Sequence, residues 1–528
     1  MKISRLASLC VLVLLTACSK PGSGPASGDA AHPSAAEALA KGVAVADLEA
    51  AMARGDFTAL QLTQAALDQI KAKDGELHAV IVVNPDALAQ AKAIDAARRA
   101  GKNLGPLMGI PVLIKDNIET SDNMATTAGS LALKDNIGHR DAPVVARLRA
   151  GGAIILGKTN LSEWANIRST HAVSGWSGVG GLVANAHDKA RTACGSSSGS
   201  GAAVAAFMAP LAVGTETDGS VTCPASMNGL AGLKPTVGLV SRTYVVPISH
   251  SQDTPGPMGQ RIMDIAAMLN VMAGSDPMDA VTVEADAHKV DYTSGLSKDY
   301  LKGMRVGVLR DKVGNDPKTT AVFEAGLKTL TDAGAILVDI KSSAVKVPGD
   351  AELTVLLVEL KADLNSYLAS TPAAVKTRTL ADVIAFDKAH AAEEMPYFQQ
   401  ELFEQAQATK GLSDPAYVQV AARVKTASAQ MLDGLMKSNN VAVLVAPTYG
   451  PAWLSDLVYG DQYNGPSATS LPATAGYPHL TVPMGAVQGL PVGMSFIGAK
   501  WDEAGLLKAG YAFEQAQDLT QVPVKPAN

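Results

Sequence analysis

Residues Cys194 to Ser220 read C-G-S-S-S-G-S-G-A-A-V-A-A-F-M-A-P-L-A-V-G-T-E-T-D-G-S. A Gly/Ser run on its own is the signature of a flexible linker. This one is bracketed differently: Ala202 to Ala206 follow as a small-residue apolar run suited to a tightly packed helix, and Leu211-Ala212-Val213 form a short buried-strand candidate that stops at Gly214. A serine-rich loop pinned between two packed elements is a candidate site.

Working outward, Gly109-Ile110-Pro111-Val112-Leu113-Ile114-Lys115-Asp116-Asn117 contains an apolar run of buried-strand type, with Lys115 where the strand should end. A lysine there ordinarily turns its amine to water. Held in the interior, it would lose solvation, its pKa would fall from about 10.4, and a neutral amine could act as a base. Ala142 to Ala150, Gly151-Gly152 and Ala153 to Leu156 predict a helix, a glycine stop and a strand. Asn160, three residues before Glu163, reads as an N-cap.

Further out, three helices are predicted upstream: Val45 to Arg54, Thr58 to Lys73 opened by the capping box of Thr58 and Gln61, and Pro85 to Ala100. Downstream, Asp253-Thr254-Pro255-Gly256-Pro257 reads as a loop crowded with rigid turns. Ile262 to Met272 predicts a helix. Met304 to Leu309 and Ala335 to Ile340 predict strands around the helix Thr319 to Ala333. Ala351 to about Lys437 is helical and more polar, the pattern of a cap or insertion, before strands at Val441 to Ala446, Leu480 to Val482 and Val492 to Ile497. No internal repeat is visible, and the alternation of helix and strand returns after the helical segment, so one large α/β domain is expected.

With 528 residues, 47% hydrophobic and 18% charged, the chain can bury a large core. A net charge of −6 without a basic block excludes the electrostatic footprint of nucleic-acid binding, and 4% aromatics weighs against a base-stacking platform. Lys2 and Arg5 precede the apolar run Leu6 to Leu15, which is too short to span a membrane and has the flanks of a secretory signal. Leu15-Thr16-Ala17-Cys18 resembles a bacterial lipoprotein lipobox. The expected organisation is therefore a signal peptide over 1–18 with lipidation at Cys18, a disordered tether over 19–42, and a domain over 43–523. This places the protein at the cell envelope, on the periplasmic face, touching the membrane through its lipid anchor only; an ordinary cleaved signal with a chance cysteine would instead leave it soluble in the periplasm or secreted. Cys194 and Cys223 are then the cysteines of the folded part. An oxidising compartment permits a bridge, but buried free thiols are the expectation, because cysteine is a common small buried hydrophobe.

Gly195 to Ala202, the G-T-E-T-D-G-S of Gly214 to Ser220, the G-L-K-P-T of Gly232 to Thr236, the strand ending in Lys115-Asp116, Ala475 to Pro478 and Gly489 to Gly493 together resemble the amidase signature hydrolases. The resemblance covers roughly residues 43–523 and implies a central twisted mixed sheet flanked by helices. It implies Ser220 as nucleophile, Ser196 as bridging serine on a cis peptide, Lys115 as base, and the backbone N–H groups of Thr217, Asp218, Gly219 and Ser220 as an oxyanion hole. Such a triad hydrolyses a carboxamide through an acyl-serine, with an amide substrate and water as its partners and no metal or organic cofactor.

Cys194 to Ser200, Asp218, Thr222-Cys223-Pro224 and Ser249 to Pro255 resemble the bacterial peptide amidases within that family. Thr222 to Pro224 lack the arginine that many members carry beside the nucleophile, which removes a carboxylate clamp. Small aryl and fatty amides would use the same triad.

Other readings are weaker. Gly195 to Gly199 satisfies G-x-S-x-G with Ser197 central, but an elbow should follow a strand, and Asp188 to Ala193 is polar and helix-like. His250 and Asp253 offer a Ser-His-Asp alternative, although His250 reads better as a hydrogen-bonding loop residue. Ser343 to Lys346 spells S-x-x-K without partner motifs. A silent lipid-anchored binding protein would not need Lys115, Ser196 and Ser220 together. The amide-transfer subunit of a tRNA-linked amidotransferase is cytoplasmic, which the signal sequence opposes.

Overall fold

Val112, Leu113, Ile114, Ile154, Ile155, Leu211, Ala212 and Val213 have no solvent-accessible surface, as expected for parallel strands covered on both faces. They belong to β2 (Pro111–Lys115), β3 (Ile154–Thr159) and β6 (Leu211–Glu216). The other strands are β1 (Val80–Val83), β4 (Trp176–Ser177), β5 (Gly181–Leu182), β7 (Ala231–Lys234), β8 (Thr254–Gly259), β9 (Arg305–Leu309), β10 (Ile336–Ile340), β11 (Val443–Pro447), β12 (His479–Val487) and β13 (Leu490–Ile497). The computed structural model describes residues 33–341 and 349–517. Ser343 to Lys346 and the segment expected to be a signal peptide, with Cys18, lie outside the described residues.

Eleven strands form one mixed sheet in the order β1-β3-β2-β6-β8-β7-β12-β13-β11-β9-β10, and β4 pairs separately with β5. Strand β2 runs parallel to both β3 and β6, with Ile114 opposite Val213. The carboxyl ends of β2 and β6 therefore open on the same edge, where open α/β sheets bind ligands. Helices cover the sheet, as the sequence predicts, and one hydrophobic core runs along it. Between β10 and β11 lies the helical segment, led by Gly349–Ala369 and closed by Pro415–Asn439. Its inner faces bury Leu360, Leu364 and Phe403 against Trp164, Val246 and Ile248 of the loops at that same edge.

Four expectations are corrected. The tether does not extend to residue 42: Ala35–Ala40 is a helix with a Ser34–Glu37 capping box, and it buries Ala38 and Leu39. Its small-residue composition hides the S-x-x-E signal. Of the expected loop Asp253 to Pro257, Thr254 to Pro257 is instead the start of β8, in the middle of the sheet. The register with β7 covers only Met258 and Gly259, so Pro255 and Pro257 lie beyond that ladder and their missing N–H groups are not needed by it. Asn160 caps no helix. Its amide instead holds the carbonyls of His78 and Gly181. Asp188 to Ala193 is irregular, with isolated bridges at Arg191 and Thr192.

Candidate active site

Lys115 ends β2 with no accessible surface. Its Nζ lies 2.7 Å from Ser196 Oγ, 2.9 Å from Thr215 Oγ1 and 3.3 Å from the Thr215 carbonyl. Parallel pairing of β2 with β6 brings Thr215 there, and Asn117 Nδ2 donates to the same Thr215 hydroxyl at 2.9 Å. Burial pushes the Lys115 amine down to about 7, against the carboxylates of Asp253 and Glu216, which pull it back up. A large fraction of Lys115 is thus neutral near pH 7.

Ser196 follows a cis peptide from Gly195. A side chain at Gly195 would place its Cβ 2.1 Å from Ser162 Oγ, so the loop can pass only as glycine. The loop is fixed on three sides. Ser162 N–H donates to the Ser196 carbonyl at 3.1 Å, Ser197 Oγ donates to the Thr215 carbonyl at 3.1 Å, and Ser197 N–H donates to the Ser220 carbonyl at 3.1 Å. Ser197 is therefore a clamp between the serine loop and β6. Helix Ser198–Ala205 begins inside the serine cluster, earlier than the apolar run alone suggests.

After β6 the chain turns at Thr217 to Ser220, with Gly219 in the left-handed region at φ 80°. Among the described residues, no backbone acceptor takes the N–H of Thr217, Asp218, Gly219 or Ser220. Thr217 Oγ1 donates to Asp253 Oδ1 at 2.6 Å, and Gln252 Nε2 reaches the Thr217 carbonyl at 3.3 Å. Glu216, buried behind the turn, accepts from the N–H groups of Val221 and Thr222. Thr217, Asp218 and Ser220 line a cavity of about 310 Å³ together with Leu356, Tyr449, Trp453, Asp461 and Tyr463.

The structure thus brings Lys115 and Ser196 into contact and ties the Ser196 loop to Ser220. It directs His250 elsewhere: His250 Nδ1 lies 2.9 Å from Asp363 Oδ2 and lines a separate cavity. Asp253 is spent on Thr217 and on the N–H groups of Ile248 and Ser249. His250, Glu359 and Asp363 could bring three metal-ligand atoms within 4.8 Å, but Ser251 and Tyr417 already donate to Glu359. Cys194 and Cys223 are not free thiols. They form a disulfide with Cα atoms 5.9 Å apart. Twenty-nine residues separate them in sequence, and the return of β6 along the sheet brings them together.

The sequence reading assigns no site role to Thr215, Asn117, Gln252 or Glu352, and it considers Asp253 only as the partner of His250. Thr215 was within reach, lying inside G-T-E-T-D-G-S. Glu352 was not. It sits on the Gly349–Ala369 helix, accepts from Gln252 Nε2 at 2.9 Å, and faces Asp218. Burial, and then the neighbouring Asp218 charge, push the Glu352 carboxyl up to about 8, so it is protonated at neutral pH.

Fold and site define a class: the chain belongs to the amidase family, whose model, described as Amidase, matches residues 61–507, and it is an amide-hydrolysing enzyme. Among solved structures it is similar to the native peptide amidase of Stenotrophomonas maltophilia, at 45% identity and a TM-score of 0.85, over 90% of this chain and 96% of that one. An amidase family protein of Bacillus anthracis is 35% identical, with a TM-score of 0.83, over 91% of this chain and 92% of that one. A protein of Arabidopsis thaliana described as a probable amidase is 38% identical over 91% of both chains.

Proposed function

We propose that this enzyme removes the terminal amide from C-terminally amidated peptides through a Ser220–Ser196–Lys115 relay. The observation that carries the relay is the 2.7 Å contact between a buried lysine amine and Ser196 Oγ. Neutral Lys115 takes the Ser196 proton while Ser196 takes that of Ser220, and Ser220 Oγ bonds to the amide carbon. The N–H groups of the 217–220 turn stabilise the oxyanion. On collapse the C–N bond breaks, and the relay runs in reverse to protonate the leaving nitrogen, releasing ammonia. Water then attacks the acyl-serine by the same path, freeing the carboxylic acid.

The likeness to the Stenotrophomonas maltophilia peptide amidase supports the peptide substrate. So does the cavity, whose charged lining consists of Asp218 and Asp461 with no cation to hold a carboxylate-bearing acyl group. We also propose a cell-envelope location with lipid at Cys18. The Cys194–Cys223 bridge supports it, since disulfides persist in oxidising compartments.

Purified protein is expected to release ammonia from an amidated dipeptide, and Lys115→Ala to abolish this. Full activity in Lys115→Ala together with loss in His250→Ala would overturn the relay. A panel of peptide, aryl and fatty amides assayed for ammonia tests the substrate, with the peptide amide expected to be turned over fastest.

A further inference from the structure

We propose that the Cys194–Cys223 disulfide positions the reacting groups, holding the loop of Ser196 and the turn of Ser220 at their working separation. The proposal rests on the amide-hydrolysis reading of the site. Cys194 immediately precedes Gly195-Ser196, and Cys223 stands three residues after Ser220, in the first turn of the helix Thr222–Met227. The covalent loop therefore begins and ends at the site and encloses both serines.

The same gap is otherwise crossed by the Ser197 N–H to Ser220 carbonyl bond, and Ser197 also grips β6. Cys194 is held at φ 58°, in the left-handed region that residues with a Cβ adopt at a cost. A bond to its Sγ offsets that cost locally. Cys223 N–H in turn donates to the Gly219 carbonyl at 2.8 Å, so the bridge reaches the oxyanion turn itself. Its outer side is no featureless core. The two cysteines pack beneath Tyr449, Trp453 and Tyr463, and Cys194 lines the same cavity as Ser220. A relay through two hydroxyls tolerates little misalignment, and a shift of about 1 Å costs on the order of 10²-fold in rate.

The test uses the full chain. A phosphine opens the S–S bond to two thiols and is itself oxidised to the phosphine oxide, and thiol titration should rise by two per chain. With an amidated dipeptide, kcat is expected to fall about ten- to hundredfold, with KM within about twofold and far-UV circular dichroism unchanged. Labelling of Ser220 by a fluorophosphonate should slow in parallel, and reoxidation should restore both. The variant Cys194→Ala/Cys223→Ala should behave like the reduced enzyme, and it decides the matter if the phosphine does not reach the buried bridge.

Full kcat in the reduced enzyme or the variant overturns the proposal. So does a loss that tracks loss of circular dichroism, or a variant that fails to fold, since the bridge would then be a general staple. Because labelling needs no amide, bridge-dependent labelling without ammonia release would count against the substrate reading and leave the positioning role standing.

Discussion

The edge where β2 and β6 end and the helical layer above it are built on different terms. At the edge, the groups are placed mainly by backbone: Lys115 closes a strand, Thr215 is brought beside it by parallel pairing, and Ser196 and Ser197 are bonded to Ser162 beyond β3, to β6 and to the Ser220 turn. The helical layer meets it with side chains. Glu352 reaches Gln252, whose Nε2 also reaches the Thr217 carbonyl, and Leu356 lines the cavity one helical turn further on. Rigid backbone is the better support for a reaction that needs near-fixed geometry. Side chains on a separate layer suit the adjustable walls around it.

If this division is right, the edge cannot be touched without losing the reaction. Ser220→Ala is expected to lower kcat by about 10⁴-fold or more, as removal of a nucleophile does elsewhere, with the melting temperature little changed. His250→Ala, on the helical layer's side, should stay within about threefold of the parent. Ammonia release under single-turnover conditions measures both, and comparable losses would erase the distinction between the two regions.

A second way to sharpen it is pH. The buried Lys115 amine titrates near 7, and only its neutral form accepts a proton, so kcat/KM should rise about tenfold per pH unit below that value and level off above it. Lys115→Arg, permanently charged, should remove the rising limb along with the activity. Glu352 titrates near 8, and its ionisation would set a second negative charge against Asp218, within the field of Lys234 and the hydroxyls of Thr469 and Ser470. Activity should fall above that pH. Glu352→Gln, which still offers a hydrogen to Asp218, should keep the acid limb and lose the alkaline one. A profile that loses its acid limb in Glu352→Gln would contradict the assignment of that limb to the edge.

The linkage to stability has definite signs. Lys115 binds its proton less tightly folded than unfolded, so its contribution makes the protein more stable as pH rises from about 7 to about 10. Glu352 binds its proton more tightly folded, so its contribution is lost as pH rises through about 8.

The same division explains what the sequence disclosed. Many edge residues are close neighbours in motifs: Ser196, Ser197, Thr215, Thr217 and Ser220 lie within one 27-residue stretch, and Lys115 stands at the end of an apolar run that marks its own strand. Period and punctuation also revealed most of the buried strands and the helical segment. What they concealed depends on tertiary contact. Glu352 meets Asp218 across 134 residues, and Cys194 pairs with Cys223 only because the sheet folds their loops together. Strand β8 was hidden for another reason. Its Pro255-Gly256-Pro257 has turn chemistry, yet it pairs with β6, and Gly256 lets it lie close against β7, where a Cβ would stand 2.2 Å from the Leu233 carbonyl.

The smallest effect expected separates the cavity wall from the reaction most cleanly. Trp453 stands over the site with its indole N–H donating to Asp461 Oδ1 at 3.0 Å and its ring 5.0 Å from that of Tyr463. An aromatic surface of this kind contributes about 0.5–1.5 kcal/mol to a bound side chain beyond simple burial. Trp453→Ala should therefore raise KM for amidated peptides with a bulky terminal residue by about three- to tenfold and leave kcat within about twofold. For a small amide that cannot reach the ring, both constants should hold. Trp453→Phe, which keeps the ring and gives up the bond to Asp461, should shift KM less than Trp453→Ala does. A fall in kcat with the small amide would mean that this wall also holds the turn of Ser220 in place, and the boundary between the two regions would have to be redrawn to include it.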